Sequence, residues 1–328
     1  MKAWLCETLD GIEAMKWQEL PTTEPAAGEV RIAIAAASLN FPDLLIVQGK
    51  YQIKPPLPFV PGSEFAGVVD AVGAGVTHLK LGDPVAAIAG TGGFATHANV
   101  DARRVLPLPP GFALDDAAAF AFTYGTSHHA LIDRAALQPG ETVLVLGAAG
   151  GVGTAALQIA KAVGARVIAA ASSDEKCALC TSLGADATIN YSTANLREAL
   201  KALTSGKGPD VVYDPVGGHL AEPVFRSIAW RGRYLVVGFA GVAQGGIPAL
   251  PWNLALLKGA AIVGVFWGDF IQREPAASAA ALAQLAGWYA QGKVKPVIDQ
   301  RLPMNRLLDA FAIMASRQVR GKLVMTNP

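Results

Sequence analysis

Gly147-Ala148-Ala149-Gly150-Gly151-Val152-Gly153 is the segment whose residue types and spacing carry the plainest chemical meaning. It follows a short apolar run, Thr142–Leu146, and precedes residues with amphipathic helical spacing. A chain that turns sharply from strand to helix presents free backbone amides and the positive end of the helix dipole to an anion. Glycine permits the turn and lets a pyrophosphate approach without meeting a Cβ. Gly147, Gly150, Gly151 and Gly153, with Val152 among them, are therefore candidate contacts for a dinucleotide.

The next apolar stretch closes on Ala171-Ser172-Ser173-Asp174-Glu175-Lys176. An NADH site usually has an acid at this strand end to hold the ribose 2′-hydroxyl. Here Ser172 and Ser173 take that place and Lys176 follows one turn into a helix. Hydroxyls with a cation suit a 2′-phosphate, so NADPH is the expected cofactor, while Asp174 keeps NADH open. Ser172 and Glu175 also have the spacing of a capping box. Cys177 and Cys180 form a C-x-x-C, but zinc needs two further ligands and a redox dithiol needs a thioredoxin-like setting. They are expected to be a buried pair. His128 and His129 are adjacent and so point in different directions, and His78, His97 and His219 have no partners at ligand spacing. No metal is expected.

The elements that must position these residues are legible in the pattern. Apolar runs at Thr142–Leu146, Arg166–Ala170, Ala187–Asn190, Asp210–Asp214, Arg233–Val237 and Ala260–Val265 recur with helical segments between them. Continuous, β-branched-rich runs fit strands buried on both faces of a parallel sheet. Val152, Ala155, Ala156, Ile159, Ala160 and Val163 define the first helix, with Gly164 as its C-cap. The reading is an α/β chain with a doubly wound, six-stranded parallel sheet. Before about Phe122 the chain is short β-prone runs broken by glycine and proline, such as Val30–Ile34, Gly67–Val72 and Asp83–Ile88, which suggests a small β-rich, partly open barrel. Ala276–Gln291 reads as a helix and Gly321–Met325 as a last strand. The expected division is 123–263 for the dinucleotide domain, with 1–122 and 264–328 forming the other.

Composition narrows the function. The 328 residues, 52% apolar and 16% charged, correspond to about two domains and a compact fold. With 27 basic against 26 acidic residues there is no field for a nucleic-acid backbone. No stretch reaches the roughly 18 apolar residues of a membrane helix, and Glu7 interrupts any leader at the start. Three cysteines make no disulfide framework. A cytoplasmic protein, off the membrane, is expected.

As a set, Asn40-Phe41-Pro42-Asp43, Gly49-Lys50-Tyr51, Pro61-Gly62-Ser63-Glu64-Phe65-Ala66-Gly67-Val68-Val69, the glycine cradle, Leu183-Gly184-Ala185-Asp186 running to Asn190-Tyr191, and Asp214-Pro215-Val216-Gly217-Gly218 resemble the medium-chain dehydrogenase/reductase superfamily. Over nearly the whole length the chain is most similar to the zinc-independent NADPH:quinone oxidoreductase family. The resemblance implies a GroES-like barrel domain, a Rossmann domain and an active site in the cleft between them. Where the zinc-dependent branch has a ligand cysteine this chain has Asn40, and where that branch has Gly-His-Glu it has Gly62-Ser63-Glu64. The segment Ala87–His97 leaves no room for a structural-zinc lobe. Without a Lewis acid, alcohol oxidation is disfavoured. A quinone or an α,β-unsaturated carbonyl can instead accept hydride and delocalise the charge onto an oxygen held by hydrogen bonds.

The resemblance further implies roles for single residues. Tyr51 is the candidate acid, or else part of the pocket wall. Asn40 would hydrogen-bond the nicotinamide ribose or the substrate carbonyl, or serve only as a turn residue. Thr126 would start the helix beside the nicotinamide, and Tyr191 would lie near the 2′-phosphate or in the core. Phe239 and Ala240, with Phe266 and Trp267, follow the last two strands, where backbone groups could hold the carboxamide. Phe266 and Trp267 could instead pack at a subunit contact. The edge strand near Ala260–Val265 implies a homodimer. The expected activity is NADPH-dependent reduction of quinones or activated double bonds. The alternatives are an enoyl-CoA or enoyl-thioester reductase, or an NADPH-binding protein without turnover.

Overall fold

The computed structural model describes residues 1–241, 247 and 249–328. They form two compact units, Met1–Phe122 with Ile298–Pro328, and Thr123–Val297.

The chain opens with β1 (Lys2–Leu5) and β2 (Lys16–Glu19), an antiparallel pair. β3 (Glu29–Ser38) alternates buried and half-buried positions, so Val30, Ile32 and Ile34 enter the core on one face. Helix α1 (Phe41–Val47) follows, and then β4 (Glu64–Val72), β5 (Pro84–Ile88), β6 (His97–Asp101) and β7 (Val105–Pro107). The β3–β4 ladder shifts register at Arg31/Ile32 and at Ile34/Ala36. Such irregularities bend and twist a sheet, as a partly open barrel requires. The core inside holds Ile32, Phe65 and Phe94. Helix α2 (Leu114–Ala118) lays Ala117 and Ala118 on Ala36, Ala66 and Ala86, small residues that allow close contact with the sheet.

Helix α3 (Ala121–His128) leads into the second unit and continues as a wider π-type turn, His129–Arg134. There follow β8 (Thr142–Leu146), α4 (Gly151–Val163), β9 (Arg166–Ala171), α5 (Asp174–Ser182), β10 (Ala187–Asn190), α6 (Leu196–Leu203), β11 (Val211–Asp214), α7 (Ala221–Ser227), β12 (Arg233–Val236), α8 (Asn253–Lys258), β13 (Ala261–Gly264), α9 (Trp267–Arg273) and α10 (Pro275–Ala290). The strands are parallel, in the order β10-β9-β8-β11-β12-β13. Leu144, Leu146, Ile168 and Val212 are wholly buried, as two-sided coverage demands. Gly164 adopts φ +89° and ends α4 as its left-handed cap. The strand order reverses between β8 and β11, the place where a doubly wound sheet opens a crevice at its carboxyl ends.

The chain then re-enters the first unit through β14 (Ile298–Pro303), α11 (Leu307–Ala315) and β15 (Lys322–Thr326), giving a seven-stranded sheet β14-β15-β3-β4-β5-β7 with β6 on β3. The expected boundary at residue 264 is thereby corrected, since 264–297 stays with the second unit. The reasons are local. Trp267 packs on Gly125, the His128 Nε2–H donates to Gln284 Oε1 at 2.6 Å, and Lys295 exchanges two hydrogen bonds with Gln158 (2.7 and 3.0 Å). An alanine-rich helix with no marked apolar stripe does not show in its sequence which unit it covers. Among the described residues no helix is long and apolar enough to cross a membrane.

Candidate dinucleotide cradle and polar cluster

At the β8–α4 junction Gly147 takes φ +56°, and its carbonyl accepts the Gly150 N–H at 2.9 Å. A Cβ on Gly153 would lie 2.3 Å from the Gly147 oxygen and 2.8 Å from Ala148 backbone atoms, so only glycine fits there. A Cβ on Gly150 would meet only the Gly147 oxygen, at 3.3 Å, and otherwise open space. The N-cap Gly150 supplies no side-chain acceptor, which leaves the first-turn amides of α4 free for an anion. Ser127 steadies this turn from below, its hydroxyl donating to the Val152 carbonyl at 2.9 Å and lying 2.9 Å from the Tyr213 hydroxyl. The cradle fits a dinucleotide pyrophosphate.

At the ends of β9 and β10, Ser172, Ser173 and Lys176 converge. The N-cap of α5 is Ser173, whose hydroxyl accepts the Lys176 N–H at 3.3 Å. This corrects the expected Ser172–Glu175 box. Ser172 lies outside the helix, and its hydroxyl is 3.5 Å from the Lys176 ammonium. Ser192, which the sequence reading did not single out, donates to the Ser172 carbonyl at 2.9 Å. Asn190 donates to Asp174 at 2.7 Å while its own oxygen accepts the Ser192 N–H at 3.1 Å. The Tyr191 N–H donates to the Ala171 carbonyl, and its half-buried ring packs on the core of the unit.

Thr126 is buried near the end of α3 rather than at its start. The helix begins earlier because a carboxylate oxygen of Glu64 accepts the Phe122 N–H at 2.7 Å, satisfying an amide of the first turn. Phe266 and Trp267 part company. Phe266 is exposed, whereas Trp267 is buried with its ring where a Cβ on Gly125 would stand, 2.6 Å away. Phe239 is exposed beside Gly217, and the Ala240 N–H donates to the Pro215 carbonyl at 3.0 Å.

The first unit holds a buried polar cluster. Asn40 precedes α1, and its side-chain oxygen accepts from the Lys322 ammonium of β15 at 2.5 Å. Its amide nitrogen faces Glu64 (3.3 Å) and Ser63 (3.5 Å). Glu64 also accepts the Ser38 hydroxyl at 2.8 Å and lies 3.7 Å from Lys322. Asp43 takes the N–H groups of Asn40 (2.8 Å) and Ser63 (3.1 Å). Burial raises the Asp43 carboxyl to about 6 against these hydrogen bonds, and burial also lowers the Lys322 ammonium from its ordinary value. Tyr51 follows α1, half-buried against the core. Burial first, and the Asp43 charge second, push its phenol above the usual range. The sequence reading passed over Lys322, although a lysine inside the apolar run Lys322–Met325 signals a buried partner.

The donor set at Asn40, Ser63 and Glu64 does not suit zinc. It has no thiolate or imidazole, and an ammonium stands among its oxygens.

Two family models match the chain, "Alcohol dehydrogenase GroES-like domain" over residues 26–110 and "Zinc-binding dehydrogenase" over residues 151–284. Quinone oxidoreductase-like protein 2 of Rattus norvegicus is 38% identical over 310 residues, 94% of this chain and 88% of that protein. Among solved structures, the Escherichia coli quinone oxidoreductase complexed with NADPH has a TM-score of 0.90 at 30% identity, with all of both chains covered. The quinone oxidoreductase of Thermus thermophilus has a TM-score of 0.86 at 34% identity, again over all of both chains. Fold, cradle and whole-length similarity agree: the chain belongs to the medium-chain dehydrogenase/reductase superfamily, in its quinone oxidoreductase family.

Proposed function

We propose that this oxidoreductase takes NADPH and reduces quinones or other activated, α,β-unsaturated carbonyl compounds without a metal. The observation that carries the reading is the cradle, where Gly153 has no room for a Cβ and the free amides of α4 stand at the switch point of the sheet. Ser172, Ser173 and Lys176 support a 2′-phosphate at the adenosine end, with Tyr191 beside them. Gly147, Gly150, Gly151 and Val152 are assigned to the pyrophosphate, and Thr126, Phe239, Ala240, Phe266 and Trp267 to the nicotinamide end.

When bound, the reduced nicotinamide supplies a hydride. The chain must then hold and protonate the charge that collects on the acceptor. Tyr51 keeps its proton across the neutral range because burial and Asp43 both disfavour the phenolate, so it can donate a hydrogen bond and then a proton. Asn40 is read as a positioning residue, since its carboxamide is committed to Lys322 and the Glu64 side. Glu64, Ser38 and Lys322 set that commitment.

The protein is further proposed to act as a homodimer. β13 is an edge strand with Ile262 exposed; Trp252, Leu256 and Leu257 are exposed shortly before it in the sequence, and the exposed Trp230 ring stands beside Gly259. The three cysteines are free and buried, which supports a reducing, cytoplasmic setting.

The test is NADPH oxidation with an ortho-quinone and with crotonyl-CoA, for wild type and for Tyr51→Phe. Faster quinone turnover that survives the substitution supports quinone reduction with Tyr51 as a wall. Crotonyl-CoA turnover that collapses without the hydroxyl makes Tyr51 the acid of an enoyl-thioester reductase. NADPH binding with neither activity would mark a protein without turnover.

A further inference from the structure

We infer that Asp214 and Tyr234, a buried pair at the end of β11 and in β12, set the affinity for the dinucleotide by holding the loop that walls the cradle. The inference rests on the dinucleotide reading above. Asp214 is almost wholly buried, and one of its oxygens accepts two consecutive loop amides, Val216 N–H at 2.8 Å and Gly217 N–H at 2.7 Å. Its other oxygen accepts the Tyr234 hydroxyl at 2.5 Å. These hydrogen bonds to the carboxylate therefore either bend the loop or anchor the anion that bends it.

The loop's product is the placement of Val216. A Cβ on Gly147, the first glycine of the cradle, would lie 2.8 Å from a Val216 methyl, and one on Gly241 would lie 2.6 Å from the other. Gly217 adopts φ +64° against the Phe239 ring, and the Ala240 and Gly241 N–H groups donate to the Pro215 and Val216 carbonyls (3.0 and 2.7 Å). The 215–217 and 238–241 loops thus interlock over Gly147. A pair this costly to bury repays its desolvation through charge-assisted hydrogen bonds, and here these bonds end on the wall of the cradle. Asp214 and Tyr234 are almost wholly buried and bond to the loop amides and to each other, so both are positioning residues.

The experiment uses the full-length protein and NADPH, with binding read by calorimetry and turnover read separately. Tyr234→Phe removes one oxygen and leaves the ring in the core. The dissociation constant for NADPH is expected to rise about tenfold, the scale of losing one hydrogen bond to a charged group, with kcat and the KM for the acceptor unchanged. Asp214→Asn, which keeps an acceptor for the loop amides, should lose less affinity than Asp214→Ala. In the Val216→Ala background, where the wall is already cut back, adding Tyr234→Phe should change the NADPH affinity little. A lowered melting temperature with NADPH affinity intact overturns the inference, as does an acceptor KM that moves in step. If Asp214→Ala fails to fold, the Tyr234→Phe and Val216→Ala cycle decides alone. A wild type that binds no dinucleotide would sink the proposed function instead, a different result from wild-type binding that ignores all three residues.

Discussion

The Lys322 ammonium lies 2.5 Å from the side-chain oxygen of Asn40, across 282 positions of sequence. Both residues are buried, with Glu64 beside them. Lys322→Met leaves the Glu64 carboxylate and the Asn40 oxygen without their cation. It is expected to destabilise the fold by about 3–5 kcal/mol, the scale for removing one partner of a buried pair. Urea denaturation checks this. The double variant Lys322→Met, Glu64→Gln should cost less than the sum of the single changes, because the uncompensated charge is gone.

Asp43 gives the cluster a pH signature. Its carboxyl is raised from 3.8 to about 6 in the folded protein, so the folded state keeps a proton that the unfolded chain has lost. Its contribution to stability is therefore fully present below about pH 4 and is lost as pH rises through about 6. The difference is about 3 kcal/mol. Denaturation of wild type and Asp43→Asn across this window should show the wild type losing stability relative to the variant as pH rises. Parallel curves would contradict the assignment.

Two glycines of the cradle should behave differently. Gly150 sits at φ −83°, which alanine adopts without strain, and its Cβ meets little protein. Gly150→Ala should fold within about 1 kcal/mol of wild type while binding NADPH at least tenfold more weakly, because the methyl fills the space the phosphate needs. Gly153→Ala drives a Cβ into backbone and should cost about 3 kcal/mol of stability. Thermal melts beside calorimetric titration separate the two.

The open edge at β13 predicts assembly. Sedimentation should show a dimer for wild type at micromolar concentration. Ile262→Lys, a charge placed on the exposed strand, should give a monomer with unchanged circular dichroism. A monomeric wild type would remove the homodimer.

The six runs from Thr142 to Val265 each became a strand of the parallel sheet, and Gly164 became the left-handed cap of α4. The sequence determined these features because continuous apolar runs, helical spacing and glycine preferences are local properties of the chain. The cradle was legible for the same reason, its seven residues being contiguous. What lay beyond it was the ownership of 264–297, since Trp267 finds Gly125 and Lys295 finds Gln158 through contacts that span most of a domain. Lys322 at Asn40 and Tyr234 at Asp214 are likewise pairings between distant segments, which no residue spacing announces. Only the tertiary structure decided which acid each buried cation or hydroxyl would meet. Desolvation makes such partners necessary, but the order of strands in the sheet chooses them.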